Sequence, residues 1–145
     1  MIVVDTTILV YAVGVDHPLA EPCRELVRLV THGEVHATTT PEVIQELAHV
    51  RARRRDREDA TRVARDFAAL FSPLLTVTAE DLDAGLELFA RTPLGAFDAV
   101  LAAAALRSGC QLLVSADRAF AAVDGLPVGD PAEADFLARV RAVRR

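Results

Sequence analysis

The stretch Met1-Ile2-Val3-Val4-Asp5-Thr6-Thr7-Ile8-Leu9-Val10-Tyr11-Ala12 decides how the rest of the chain is read. Residues 2–4 form an apolar run that breaks at Asp5, the pattern of a short buried strand. From Thr6 the chain stays apolar until Asp16, His17 and Pro18 signal a turn. A strand therefore hands over to a helix at an aspartate, and the same alternation recurs downstream.

Residues 19–30 read as a helix stopped near Gly33, and residues 35–39 as a second short strand. Thr40 before Pro41 suits an N-cap followed by proline at the first helical position, with Glu42 in the acid-favoured first turn. That helix is expected to run to about Arg54. Further helices are expected over residues 58–71, 80–89 and 96–106, a short one over 117–123 and a last one around 132–143. Strands are expected over 74–77, 111–114 and 126–128. Strands separated by helices imply right-handed crossovers and a parallel sheet covered on both faces. The fold class is α/β: a three-layer α/β/α sandwich around a central parallel sheet of four to five short strands, built as one domain over residues 1–145.

The chain has 145 residues, 52% of them hydrophobic, with no low-complexity tract, so one packed core is expected. No secretory signal or membrane span is read in it, because Asp5, Asp16 and Asp98 interrupt the apolar windows; a cytoplasmic protein is the expectation. Cys23 and Cys110 sit in apolar contexts and read as buried thiols rather than a disulfide, zinc cluster or redox motif. Net charge is −5, which argues against a broad basic surface and makes any nucleic-acid affinity local. Every basic residue is Arg, and five crowd together as Arg51, Arg53, Arg54, Arg55 and Arg57. They are either a solvated helix end favoured by the helix dipole or a contact for phosphate or a partner.

In parallel α/β sheets ligands gather beyond the carboxyl ends of the strands. Asp5 ends the first strand and Asp117 follows the strand at 111–114. Either carboxylate alone suits an N-cap. Asp98 is different: it is the only charge between Arg91 and Arg107, in a helix otherwise made of Phe, Leu, Val and Ala. A carboxylate buried there is paired, neutral or metal-bound, the alternative being a first-turn acid held by the helix dipole. On the helix from Thr40, an apolar stripe through Val43, Ile44, Leu47 and Val50 places Glu46 on its flank and turns Glu42 toward solvent. Glu46 is thus the preferred fourth acid, its alternative being a surface pair with Arg53 or Arg54.

Four acids, at least three of them at one sheet edge, raise each other's pKa and make sense with a cation among them; oxygen-only ligands suit Mg²⁺ or Mn²⁺ over zinc. Such ions lower the pKa of a bound water and stabilise a leaving oxygen in phosphodiester hydrolysis. His17, His32, His36 and His49 lie in turns or on helix flanks without a serine elbow, against Ser-His-Asp catalysis. An aspartyl-phosphate phosphatase usually needs a lysine, and there is none.

Val3-Val4-Asp5-Thr6-Thr7, the glutamate-bearing Thr40-Pro41-Glu42-Val43-Ile44-Gln45-Glu46-Leu47, Phe97-Asp98-Ala99-Val100 and Leu113-Val114-Ser115-Ala116-Asp117-Arg118 together resemble the acidic signatures of PIN-domain ribonucleases. Length and the lack of an appended domain resemble the VapC-type toxins of toxin-antitoxin pairs. The resemblance implies Mg²⁺-dependent endonucleolytic cleavage of RNA, with Asp5, Glu46, Asp98 and Asp117 as catalytic and metal-binding acids. It implies that Ser115 helps orient water or metal, that the protein is a homodimer, and that a small antitoxin covers the cleft with a basic side chain. A noncatalytic RNA- or partner-binding module and a metal-dependent DNA nuclease are the alternative readings.

Overall fold

The computed structural model describes residues 1–143. Four strands, β1 (Ile2–Val4), β2 (Ala37–Thr38), β3 (Leu112–Val114) and β4 (Val128–Gly129), form one sheet in the order β2-β1-β3-β4. Every neighbouring pair is parallel; Ile2 stands opposite Ala37 on one side and Leu112 on the other. Ile2, Val3, Val4, Leu113 and Val114 are fully buried, as expected of strands covered on both faces.

Seven α-helices complete the three layers: α1 (Thr6–Val13), α2 (Ala20–Thr31), α3 (Pro41–Ala52), α4 (Arg57–Leu70), α5 (Ala79–Arg91), α6 (Ala96–Arg107) and α7 (Phe136–Ala142). Thr40 caps α3 by accepting from the Val43 amide, with Pro41 at the first position. Asp56 caps α4, and Thr78 with Asp81 makes a reciprocal capping box on α5. α3 packs on α4, α1 on α2 and α3, and α5 on α6. The α5–α6 contact depends on Gly85, because a Cβ there would lie 2.7 Å from the Val100 Cα.

Two sequence expectations are corrected. Residues 74–77 do not form a strand. Only the Leu75 amide bonds toward the β2 edge, to the Thr39 carbonyl at 2.9 Å. Pro73 lacks an amide hydrogen, and the Thr38 hydroxyl, with its single hydrogen, donates to the Pro73 carbonyl at 2.9 Å, so a side chain rather than a ladder ties this segment to β2. The final helix begins at Phe136 rather than near residue 132, because turns fill the preceding segment around Pro131. The short helix after Asp117 is a 3-10 turn over Arg118–Ala122. Cys23 and Cys110 are buried free thiols, and burial pushes Cys23 up to about 12. Among the described residues no helix is long and apolar enough to cross a membrane.

Candidate active site

Asp5 leaves β1 at its carboxyl end, 2% exposed, with its amide still bonded to the Val114 carbonyl of β3. Its Oδ2 accepts from the Thr7 amide at 3.2 Å, the Thr7 hydroxyl at 2.6 Å and the Ser115 hydroxyl at 2.7 Å. The capping role and the place at the sheet edge therefore coexist in one residue. Burial raises the Asp5 carboxyl above its ordinary value, and these hydrogen bonds oppose the rise without cancelling it.

Ser115 stands between two acids. It is 1% exposed, donates to Asp5, and accepts from the Asp117 amide at 2.9 Å. Thr7 reinforces the junction by accepting from the Ala116 amide at 2.9 Å. Asp117 caps the 3-10 turn, its Oδ1 accepting from the Ala119 amide at 2.9 Å. The crossing of β1 and β3 is thus a closed set of hydroxyls and amides that fixes two carboxylates relative to each other.

α3 and α6 supply the facing wall. Glu46 accepts from the Thr6 hydroxyl at 2.6 Å, which ties it to the residue after Asp5. Asp98 lies in the first turn of α6 behind Gly95, which offers no side-chain cap. Among the described residues Asp98 has neither an ion pair nor a hydrogen-bonded partner of its side chain. Its carboxyl is pushed up to about 7, first by burial and then by repulsion from Asp5, Glu46 and Asp117. All four sequence-selected acids therefore share one electrostatic environment.

A cavity of about 520 Å³ opens between these elements, and Asp5, Glu42, Glu46 and Asp98 line it. Asp117 lies outside the lining, although close enough to act on Asp98. The opposite wall is apolar, with Leu82, Leu86, Phe97 and Leu101. Phe97 is 80% exposed.

Glu42 is a correction. The stripe argument turned it to solvent, but it is half-buried while Glu46 is the more exposed of the two. Its Oε2 is shielded from water and has no hydrogen-bond partner among the described residues. Residues four apart share a helix face, so Glu42 and Glu46 both reach the cavity. Thr6 and Thr7 are further site residues that the acid-centred reading passed over. The available signal was a hydroxyl two positions from an acid, the spacing that Ser115 and Asp117 repeat in reverse.

The donor set is oxygen only, and one shielded carboxylate oxygen lacks a partner, which fits a hard divalent cation. Among the described residues no three His, Cys, Asp or Glu side chains are already arranged to hold a metal ion. Mg²⁺ usually takes one or two carboxylates and fills its remaining positions with water and substrate phosphate, so a looser acidic wall still suits it.

The PIN domain family profile matches residues 2–126. The chain is 53% identical over 126 residues to Ribonuclease VapC7 of Mycobacterium tuberculosis, covering 83% of this chain and 85% of that protein. It is 33% identical over 124 residues to Ribonuclease VapC23 of the same species, covering 83% and 96%. Among solved structures it resembles the Mycobacterium tuberculosis VapC20 toxin, described as cleaving the sarcin-ricin loop, with a TM-score of 0.70, 21% identity and coverage of 84% and 94%. It also resembles VapBC2 from Rickettsia felis bound to a promoter DNA fragment, with a TM-score of 0.67, 19% identity and coverage of 90% and 98%. These two likenesses concern the fold.

Proposed function

Since the chain belongs to the PIN domain family, we propose that it is a metal-dependent endoribonuclease acting as the toxin of a toxin-antitoxin pair. The observation that carries this reading is the convergence of Asp5, Glu46 and Asp98, from three separate elements, on one cavity, with Asp117 within electrostatic range. When bound, Mg²⁺ or Mn²⁺ supplies a water of lowered pKa and charge stabilisation at the leaving oxygen.

The chain's own residues do the positioning. Ser115 and Thr7 hold Asp5 by its Oδ2, which leaves Oδ1 the freer oxygen for a cation. Thr6 holds Glu46 across the cleft. Asp5, Asp98 and Glu46 would hold the ion, with Asp117 beyond them and Glu42 adding a shielded oxygen from the same face of α3. Because no basic side chain among the described residues lines the cavity, substrate phosphate enters against net repulsion until cations neutralise the acids. The same acids beside an apolar wall suit an inhibitory antitoxin that offers an arginine or lysine next to apolar side chains. The relatives' names as ribonucleases and the toxin-antitoxin complexes among the fold neighbours support this reading.

The test is cleavage of RNA and sequence-matched DNA with Mg²⁺, with Mn²⁺ and with excess EDTA. Metal-restored cleavage of RNA alone is expected. Undiminished cleavage in EDTA would overturn the metal reading, and equal cleavage of DNA would overturn the RNA assignment.

A further inference from the structure

Among the described residues, most arginines are already engaged. Arg28, Arg51, Arg62, Arg91, Arg107, Arg118, Arg139 and Arg141 each face a carboxylate. Arg24 donates to the Ala12 and Gly14 carbonyls. The guanidinium groups without such a partner are Arg53, Arg54, Arg55, Arg57 and Arg65, and all five lie on the α3–α4 hairpin. Among the described residues of a chain of net charge −5, the arginines without a partner are thus confined to one place.

That place has a defined relation to the acidic cleft. α1 and α3 lie side by side: the Thr6 hydroxyl meets Glu46 at one end, and the Arg51 guanidinium donates to the Val13 carbonyl at 3.1 Å at the other. Between them runs a groove lined by Val10, Val13, Leu47, Val50, Arg54 and Arg55. From Glu46 to the end of α3 is six residues, about 9 Å of helical rise, so the groove, which begins at Leu47 next to Glu46, and the arginines at its far end stand within a few nucleotides of the acids. Arg51 is also held by Asp59 at 2.6 Å, which braces the turn that presents Arg53, Arg54 and Arg55.

We propose that the α1–α3 groove is an RNA exit path whose lining arginines, Arg54 and Arg55, together with Arg53 beside them at the end of α3, bind backbone phosphates on one side of the scissile bond. The proposal rests on the ribonuclease reading. It answers that reading's main electrostatic difficulty, an acidic protein with an acidic site, by giving the substrate a local anchor at a distance from the carboxylates. Arginine suits the role through bidentate contact with phosphate oxygens, and phosphate contacts fix register without selecting sequence.

The test uses the full chain, a fluorescent oligouridylate of about 12 nucleotides, and a variant carrying Arg53→Gln, Arg54→Gln and Arg55→Gln. A control of equal charge carries Arg28→Gln, Arg91→Gln and Arg141→Gln. Binding is measured in EDTA over a range of salt, and cleavage of a longer RNA in Mg²⁺. The hairpin variant is expected to bind at least ~10-fold more weakly, with a log-log salt slope lower in magnitude by about 2, at ~0.7 per phosphate contact. KM should rise while kcat holds, and the control should change little. Unchanged affinity and slope in the hairpin variant, with the wild type cleaving RNA normally, would overturn the exit path and leave the nuclease reading standing. Equal weakening in the control would overturn it in favour of a net-charge effect. Loss of binding to an antitoxin with RNA affinity intact would overturn it in favour of a protein-docking patch. A wild type that binds RNA through these arginines yet never cleaves it would support the path and remove the nuclease.

Discussion

Replacing Asp98 with Asn should make the metal-free protein more stable and the enzyme inactive. The wild-type carboxyl is held at about 7 in the folded chain against 3.8 in the unfolded one. A group whose folded pKa is raised favours the native state when protonated, so its contribution is intact below pH ~4 and is lost as pH rises toward 7. Taken at face value, the ionised form costs about 4 kcal/mol at pH 8. Asp98 is only half-buried, and solvent screening brings that to about 1–2 kcal/mol. Asn keeps the shape and removes the charge, at a cost of about 0.3–1 kcal/mol in lost interaction with the α6 dipole. The net gain is about 1 kcal/mol at pH 8, shrinking toward zero near pH 4. In urea this moves the unfolding midpoint up by roughly 0.5 M at unchanged slope. The assay is urea unfolding of both proteins in EDTA at pH 5 and 8, since bound metal would add its own stabilisation. RNA cleavage in Mg²⁺ is measured in parallel and should fall at least ~100-fold. A variant less stable at pH 8 that still cleaves RNA would refute the reasoning, leaving Asp98 as a helix-terminal acid.

Ser115→Ala removes the donor to Asp5 and the acceptor for the Asp117 amide; it should cost about 1–3 kcal/mol. Because that hydrogen bond favours the ionised Asp5, the loss should be greater at pH 8 than at pH 5, as denaturant titration at both values would show. Gly85→Ala should destabilise by about 1–3 kcal/mol in thermal or urea unfolding, since the new methyl meets the Val100 backbone rather than a yielding side chain. Asp81→Asn weakens the bonds to Arg107 and the Thr78 cap and should cost about 1–2 kcal/mol at neutral pH. Arg107, first among the causes, holds the Asp81 carboxyl below its ordinary value. Wild-type stability from this group is therefore present above pH ~4 and lost in more acid solution, and the variant's unfolding curve should lack that acid limb.

The elements that were legible in the sequence are those decided locally. A buried apolar triplet ending in an acid gave β1, and Thr40-Pro41-Glu42 gave the start of α3 to the residue. Residues 74–77 misled because their apolar content fits a strand, whereas a strand needs a repeated backbone ladder and this segment reaches the β2 edge through the Leu75 amide alone. The acids were legible by type and by their place after strands. The relative burial of Glu42 and Glu46 was not: a hydrophobic stripe fixes one face of a helix, but α3 packs against both α1 and α4, and its orientation follows from both. Ser115 was legible through the family resemblance and Thr7 through its spacing from Asp5, whereas the bond from Thr6 to Glu46, 40 positions away, is recorded in no local pattern.

The junction at Asp5 has a consequence for how the protein comes into being. Its Ser115 partner stands 110 positions later in the chain, and β3 must insert beside β1 before that bond can form. Closure over such a separation is entropically costly and comes late in assembly. A nascent chain therefore carries Asp5, Glu46 and even Asp98 into solution without a formed centre. The Asp5–Ser115 junction forms only after the chain has been made through β3 and that strand has closed beside β1. On the toxin reading proposed above, the topology itself delays the assembled acidic centre until β3 is in place.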